Sequence, residues 1–288
     1  MKRILPGAHL ALLIFAIAFL LAVLQTSASV AIAQARPKIL ISTYEPFGGA
    51  NVNWSENIAN VTRKKLTQQG FDVEICRLPV VFDVAAAALK TCYQNMNPKP
   101  EQVISLGESD CTVRLETVAH NLDHNQVTPD NAGAFRSGLR IVKGGPQSIG
   151  MSAPVIDMYC SLKPKDRRDI EISKSPGAFV CNNTAYLTAL YLKSRDVPYS
   201  FIHVPSHLCG NRSLINQAGH RIASMINGVR GPSATTVDSE LSDFCDMTMP
   251  INLRAIKKLT GTLNKMNQES EEVQCHQDFL NQLQREYE

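Results

Sequence analysis

A three-layer α/β/α sandwich with a mostly parallel central sheet, followed by a C-terminal helical appendage, is the fold class this sequence predicts. The first observation is a series of short apolar runs, among them Lys38–Thr43, Val73–Leu78, Gln102–Leu106 and Ser200–Val204, each of strand length. The second is that segments with apolar residues at helical spacing lie between them. Strands that alternate with helices need crossover connections, and these give parallel pairing with helices on both faces of the sheet. The third is length, since about 250 residues after an unusual N-terminal segment fit one large domain or one domain plus an appendage.

That N-terminal segment is read apart from the fold. Lys2 and Arg3 form a short positive stretch, Ile4–Ala35 contains no Asp, Glu, Lys or Arg, and Leu10–Leu24 is nearly all apolar. Ala31-Ile32-Ala33 and Ala33-Gln34-Ala35 both fit a small-residue cleavage site. The expectation is a secretory signal peptide spanning residues 1–35, cleaved after Ala35 or, as second choice, after Ala33. An uncleaved anchor is the alternative, because the apolar stretch approaches the lower limit for a spanning helix, roughly 17–25 residues. Cleavage implies an exported, periplasmic or secreted protein with no stable membrane insertion.

The elements follow in order. Lys38–Thr43 is a strand that enters the turn Glu45-Pro46-Phe47-Gly48-Gly49, and Ser55–Gln69 is a helix with Asn53 or Ser55 as its cap and Gly70 at its end. Val73–Leu78 is a strand, Asp83–Tyr93 an alanine-rich helix and Gln102–Leu106 a strand that ends at Gly107. Thr112–Asn121 alternates in part and reads as one strand, whereas Gly133–Gly150 is glycine-rich and polar, hence loop or hairpin. Ala153–Leu162 reads as helix, Asp169–Ser173 as a weak strand, Asn182–Lys193 as helix, Ser200–Val204 as strand and Leu214–Met225 as an amphipathic helix. Residues 36–230 therefore form the α/β domain. Residues 231–236 read as a linker, and residues 231–288 as a whole as linker plus helical extension, with Leu253, Ile256, Leu259 and Leu263 at helical spacing.

A formal net charge of +3, with the charges scattered, argues against nucleic acid as a partner. All eight cysteines follow the N-terminal segment. Export would expose them to an oxidising compartment that permits pairing. If Cys181 is a free nucleophile, seven remain, and an odd number cannot all pair within one chain. Cys245 and Cys275, both in the C-terminal region, are the expected bridge.

Cys181 is the centre of the chemical reading. It lies in Gly177-Ala178-Phe179-Val180-Cys181-Asn182, where helical periodicity begins, and His203 ends the next strand in Phe201-Ile202-His203-Val204-Pro205. The unpaired N–H groups of a helix start carry partial positive charge, which favours the thiolate, the nucleophilic form of cysteine. A histidine at the carboxyl end of the next parallel strand is placed to serve that thiolate as base.

Several segments in register carry a family resemblance. Tyr44-Glu45-Pro46-Phe47-Gly48-Gly49 with Asn53 after it is similar to an [F/Y]-[D/E]-P-F-G-G…N turn, and Leu115-Glu116-Thr117-Val118-Ala119-His120-Asn121 to an E-x-x-A-x-N segment followed by Pro129-Asp130-Asn131. Gly177–Asn182 and Phe201–Pro205 match G-[TA]-[FY]-[VL]-C-[ND] and F-[IV]-H-[VI]-P, while Leu78–Phe82 and Gly144-Gly145-Pro146 also fit. Together they resemble the type I pyroglutamyl peptidases (pyrrolidone-carboxylate peptidases), cysteine peptidases that remove N-terminal pyroglutamate. The resemblance covers residues 38 to about 228.

It implies Cys181 as nucleophile, His203 as its base and Glu116 as the carboxylate that orients His203. It also implies a slot for the flat, uncharged lactam, lined by Phe47, Val80 and Val180, with Tyr44 nearby and Asn53 giving a polar contact. A thioester acyl-enzyme needs no metal and no cofactor. The implied partner is a peptide with N-terminal pyroglutamate, and the implied assembly a homo-oligomer. Trp54 after Asn53, the short acidic loop Glu108-Ser109-Asp110-Cys111 and Gln126-Val127-Thr128 in place of an arginine depart from the family pattern. They leave two alternatives: an exported binding or structural protein without turnover, or a related cysteine amidase acting on another lactam or amide. His203, His207 and Cys209 also match an H-x3-H-x-C metal pattern, but Pro205 argues against one helix presenting both histidines.

Overall fold

The computed structural model describes residues 36–229, 256, 257, 259, 260 and 271–287. In chain order the elements are β1 (Lys38–Tyr44), α1 (Trp54–Gln68), β2 (Asp72–Leu78), α2 (Val84–Asn95), β3 (Gln102–Glu108), β4 (Val113–Glu116), β5 (Val118–His120), β6 (Asp123–Asn125), β7 (Arg136–Leu139) and β8 (Ser148–Gly150). They continue with α3 (Val155–Cys160), α4 (Pro164–Arg167), β9 (Ile170–Ser173), α5 (Val180–Lys193), β10 (Tyr199–Val204), a 3-10 turn at His207–Cys209, α6 (Ser213–Gly228) and α7 (Glu271–Tyr287). The expected signal segment, the expected linker at 231–236, Leu253 and Leu263 lie outside the described residues.

The central sheet has six strands in the order β2-β1-β3-β10-β4-β9. All neighbours are parallel except β10 and β4, so β4 and β9 run against the other four. The predicted mostly parallel sheet is thus present with one antiparallel junction. That junction delivers Glu116 to the strand that carries His203, because Phe201 stands opposite Glu116 in its register. The inner strands β3 and β10 are buried at every position, as expected for a sheet covered on both faces, whereas the edge strand β2 alternates.

Local signals explain most boundaries. Asn53 caps α1, its Oδ1 accepting from the Ser55 N–H at 3.0 Å. Ile58, Ala59, Thr62 and Leu66 form the buried stripe of α1, which packs against α6. The two helices approach so closely that a Cβ on Gly219 would lie 2.6 Å from the Val61 side chain, and Thr62 Oγ1 donates to the Gly219 carbonyl at 3.2 Å. On the other layer α2 packs against α5.

The expected single strand Thr112–Asn121 is corrected to two. β4 stays in the central sheet, while β5 pairs with β8 in a separate two-stranded sheet. The chain turns away at Thr117, whose N–H donates to the Ser173 carbonyl and whose own carbonyl accepts from Met151 N–H. The glycine-rich stretch 133–150 contributes β7, paired with β6 as a hairpin, and β8.

Three disulfides join Cys76 to Cys92, Cys111 to Cys209 and Cys160 to Cys275. The expected Cys245–Cys275 bridge is therefore corrected. α7 docks on α3 and the edge strand β9, which brings Cys275 to Cys160. Cys245 lies outside the described residues. The Phe279 and Tyr159 rings meet edge to face at 5.7 Å, and Gln282 Nε2 donates to Tyr159 Oη at 2.9 Å. Of the residues at helical spacing before α7, Ile256 and Leu259 are described, and both are helical and buried.

Candidate active site

The site is built on the carboxyl ends of β1, β3 and β10. Gly107 stands opposite His203 across the parallel β3–β10 pair. Ser42 stands opposite Ser105 across β1 and β3, so two residues further on Tyr44 comes level with Gly107. Side chains two apart on a strand share a face. Tyr44, Gly107 and His203 therefore form one row, with Ser42, Ser105 and Phe201 forming the row beneath. Ser42 Oγ donates to Ser105 Oγ at 2.7 Å, and Tyr199 Oη donates to the same oxygen at 3.0 Å.

α5 lies over these rows. Its periodicity predicted a start at Asn182, but the helix starts at Val180, which puts Cys181 inside its first turn. Phe179 occupies the cap position with extended backbone and makes no side-chain cap bond. The N–H groups at this helix start thus remain available to an incoming anion. Cys181 is a free, half-buried thiol. Gly107 makes room for it, since a Cβ there would lie 3.0 Å from Cys181 Sγ and 2.8 Å from the Phe201 ring.

His203 Nδ1 donates to Glu116 Oε1 at 2.7 Å, with both side chains buried. The Phe201 ring packs edge to face against the imidazole at 5.1 Å between centroids. Burial alone would lower the His203 pKa. Hydrogen bonding and charge from Cys181 and Glu116 outweigh it and hold the pKa up at about 9. Cys181 and Glu116 thus both favour the protonated form of the ring.

Asn182 and Asn183 fix the helix start. Asn182 Nδ2 donates to the His120 and Leu122 carbonyls, both at 2.8 Å, and its Oδ1 accepts from His120 N–H. Asn183 Nδ2 donates to Asp83 and Asp123. Burial pushes the Asp123 carboxyl up to about 6, against the Asn183 hydrogen bond that lowers it.

Phe179, two residues before Cys181, belongs to an aromatic cluster. The Phe179 ring meets Phe82 edge to face at 5.3 Å and Phe47 at 6.0 Å. Asp130 and Asn131 hold this cluster, with Asp130 Oδ2 accepting from Phe82 N–H and Asn131 Nδ2 donating to the Pro46 carbonyl. Of the residues expected to line a slot, Phe47 is half-buried, whereas Val80 and Val180 are only 3% and 1% exposed and pack in the core. Tyr44 is buried under α5. Asn53 is also buried, its Oδ1 capping α1 and its Nδ2 donating to the Glu45 carbonyl. Sequence reasoning missed Phe82, Phe179 and Gly107. The first two stand inside recognised segments, and the third ends a predicted strand level with His203.

The alternative metal pattern comes apart. Cys209 is bridged to Cys111, His203 is held by Glu116, and His207 pairs with Glu108 on a separate carboxylate that also accepts from Ser206 Oγ at 2.8 Å.

A sequence model described as pyroglutamyl peptidase matches residues 37–230. The chain belongs to the pyroglutamyl peptidase family. Pyroglutamyl peptidases are cysteine peptidases, so this chain is a cysteine peptidase by membership. The pyrrolidone-carboxylate peptidase of Vibrio vulnificus (strain YJ016) is 31% identical over 209 residues, covering 70% of this chain and 94% of that protein. That of Erwinia tasmaniensis is 30% identical over 171 residues, covering 58% of this chain and 78% of its own. Among solved structures, Bacillus amyloliquefaciens pyroglutamyl peptidase I superposes with a TM-score of 0.57 at 23% identity, covering 68% of this chain and 98% of that one. The Thermus thermophilus pyrrolidone carboxyl peptidase does so with a TM-score of 0.55 at 26% identity, covering 66% and 100%.

Proposed function

We propose that this chain is an exported omega peptidase that removes N-terminal pyroglutamate from peptides, with Cys181, His203 and Glu116 as its catalytic triad. The observation that carries the reading is the buried Glu116–His203 pair at 2.7 Å beside a free cysteine in the first turn of α5. The Cys181 thiolate attacks the carbonyl that joins pyroglutamate to the next residue. N–H groups at the start of α5, that of Cys181 among them, receive the developing oxyanion. The His203 imidazolium gives its proton to the leaving amine, and the same ring then takes a proton from the water that hydrolyses the thioester. Glu116 holds Nδ1 so that Nε2 serves the sulfur, and it stabilises the imidazolium.

Phe47 and Phe179 support the substrate side, because an uncharged lactam without a free α-amine suits an apolar wall with few polar partners. With Val80 and Val180 in the core and the Asn53 amide engaged within its turn, the lactam would rest on these rings. Backbone groups would supply its polar contacts. Two observations support export: the charge-free apolar N-terminal segment and three disulfides that an oxidising compartment would maintain. A homo-oligomer accords with the family resemblance and is tested by sedimentation. Hydrolysis of pyroglutamyl-aminomethylcoumarin by the wild type under mild reduction, abolished in Cys181→Ala, is the expected result. Equal fluorophore release by both would remove the proposal.

A further inference from the structure

Tyr44 is a buried phenol whose hydroxyl finds no partner in full hydrogen-bond geometry. Such a group destabilises a fold, and a phenylalanine of the same shape would avoid that cost. Its place explains what it could serve. Gly107 and His203 stand side by side on β3 and β10, Tyr44 follows the Ser42–Ser105 pair by two residues on β1, and the Cys181 sulfur rests over Gly107. The thiol thus has the imidazole on one flank and the phenol on the other.

The polar groups facing Tyr44 are Cys181 and Thr184 from α5 and Tyr199 from β10. Thr184 comes within hydrogen-bonding reach of the Tyr44 hydroxyl while its own Oγ1 donates to the Val180 carbonyl at 2.8 Å, and Tyr199 Oη donates to Ser105. The sulfur alone among these gains a full negative charge in the catalytic cycle, and a charged acceptor makes the stronger hydrogen bond. Burial raises the Tyr44 pKa well above its ordinary value, with the nearby Cys181 adding to the effect, so the hydroxyl keeps its proton throughout the working pH range.

We propose that the Tyr44 hydroxyl donates a hydrogen bond to the Cys181 thiolate on the flank away from His203, making it a further catalytic residue. The inference rests on Cys181 being the nucleophile, but its test needs no substrate. The full chain and Tyr44→Phe are alkylated with iodoacetamide between pH 4 and 10. Cys181→Ala gives the background, and thermal unfolding is followed in parallel. The expected result is an alkylation midpoint about one pH unit higher in Tyr44→Phe, roughly tenfold slower labelling on the acid side, and an unfolding temperature no lower than that of the wild type.

Superimposable labelling profiles would overturn the proposal. So would unchanged labelling combined with a higher KM for the pyroglutamyl substrate, which would place the hydroxyl on the lactam. A Tyr44-dependent labelling profile in a protein that leaves pyroglutamyl peptides intact would uphold this inference while removing the proposed activity.

Discussion

Gly107 and Cys181 are in near contact, since a Cβ on the glycine would come within 3.0 Å of the sulfur. The same Cβ would press on the Phe201 ring, which packs against His203. Gly107→Ala is therefore expected to shift nucleophile and base together. A displacement of about 1 Å costs on the order of 100-fold in rate, so kcat should fall about that much. Far-ultraviolet circular dichroism should remain that of the wild type. Wild-type turnover in the alanine variant would show that the thiol does not need this space.

Glu116→Gln keeps the shape of the side chain and removes its charge. An amide can present its NH₂ to Nδ1 and so stabilise the wrong tautomer. kcat is expected to fall about 10³- to 10⁴-fold with KM nearly unchanged. A large rise in KM at constant kcat would instead make Glu116 a substrate contact.

His203 sets an alkaline limit. Its folded-state pKa, about 9, lies above the ordinary value of 6.5. The stabilisation from the imidazolium is complete below about 6.5 and is lost as pH rises through about 9. Both kcat and the unfolding temperature should decline across that interval. Cys181→Ala removes one of the partners that raise the pKa, so the His203 titration followed by NMR should move down. An unmoved midpoint in that variant would separate His203 from the thiol.

The Cys160–Cys275 bridge ties α7 to α3 across 115 residues of sequence. Replacing both cysteines by alanine is expected to cost roughly 2–5 kcal/mol in chemical denaturation. Pyroglutamyl hydrolysis should remain, because the proposed catalytic groups stand on β4, α5 and β10. Loss of activity in a folded double variant would instead tie α7 to the site.

The three proposed catalytic residues were legible as candidates because each lies in a short segment with its own local signature. Cys181 precedes a helical period, His203 ends an apolar strand, and Glu116 stands in a motif that recurs in the family. Packing was less legible. Val80 and Val180 share the apolar character of Phe47, yet they are nearly fully buried while Phe47 is half-buried, a difference that sequence does not encode. Asn53 has two donors and an acceptor in sequence, yet the α1 cap and the Glu45 carbonyl engage them.

By itself the sequence determined the alternation of strands and helices, the α/β class and the family, and it named Cys181, His203 and Glu116 as candidates for nucleophile, base and carboxylate. These follow from periodicity and short motifs, which act over a few residues. Tertiary structure alone decided the antiparallel β10–β4 junction, the break of the expected strand at Thr117, the Cys160–Cys275 pairing and the row of Tyr44, Gly107 and His203 beneath the sulfur. Each depends on strand register and helix docking between residues far apart in the chain. Those distances are set by how the whole core packs, which no local pattern encodes.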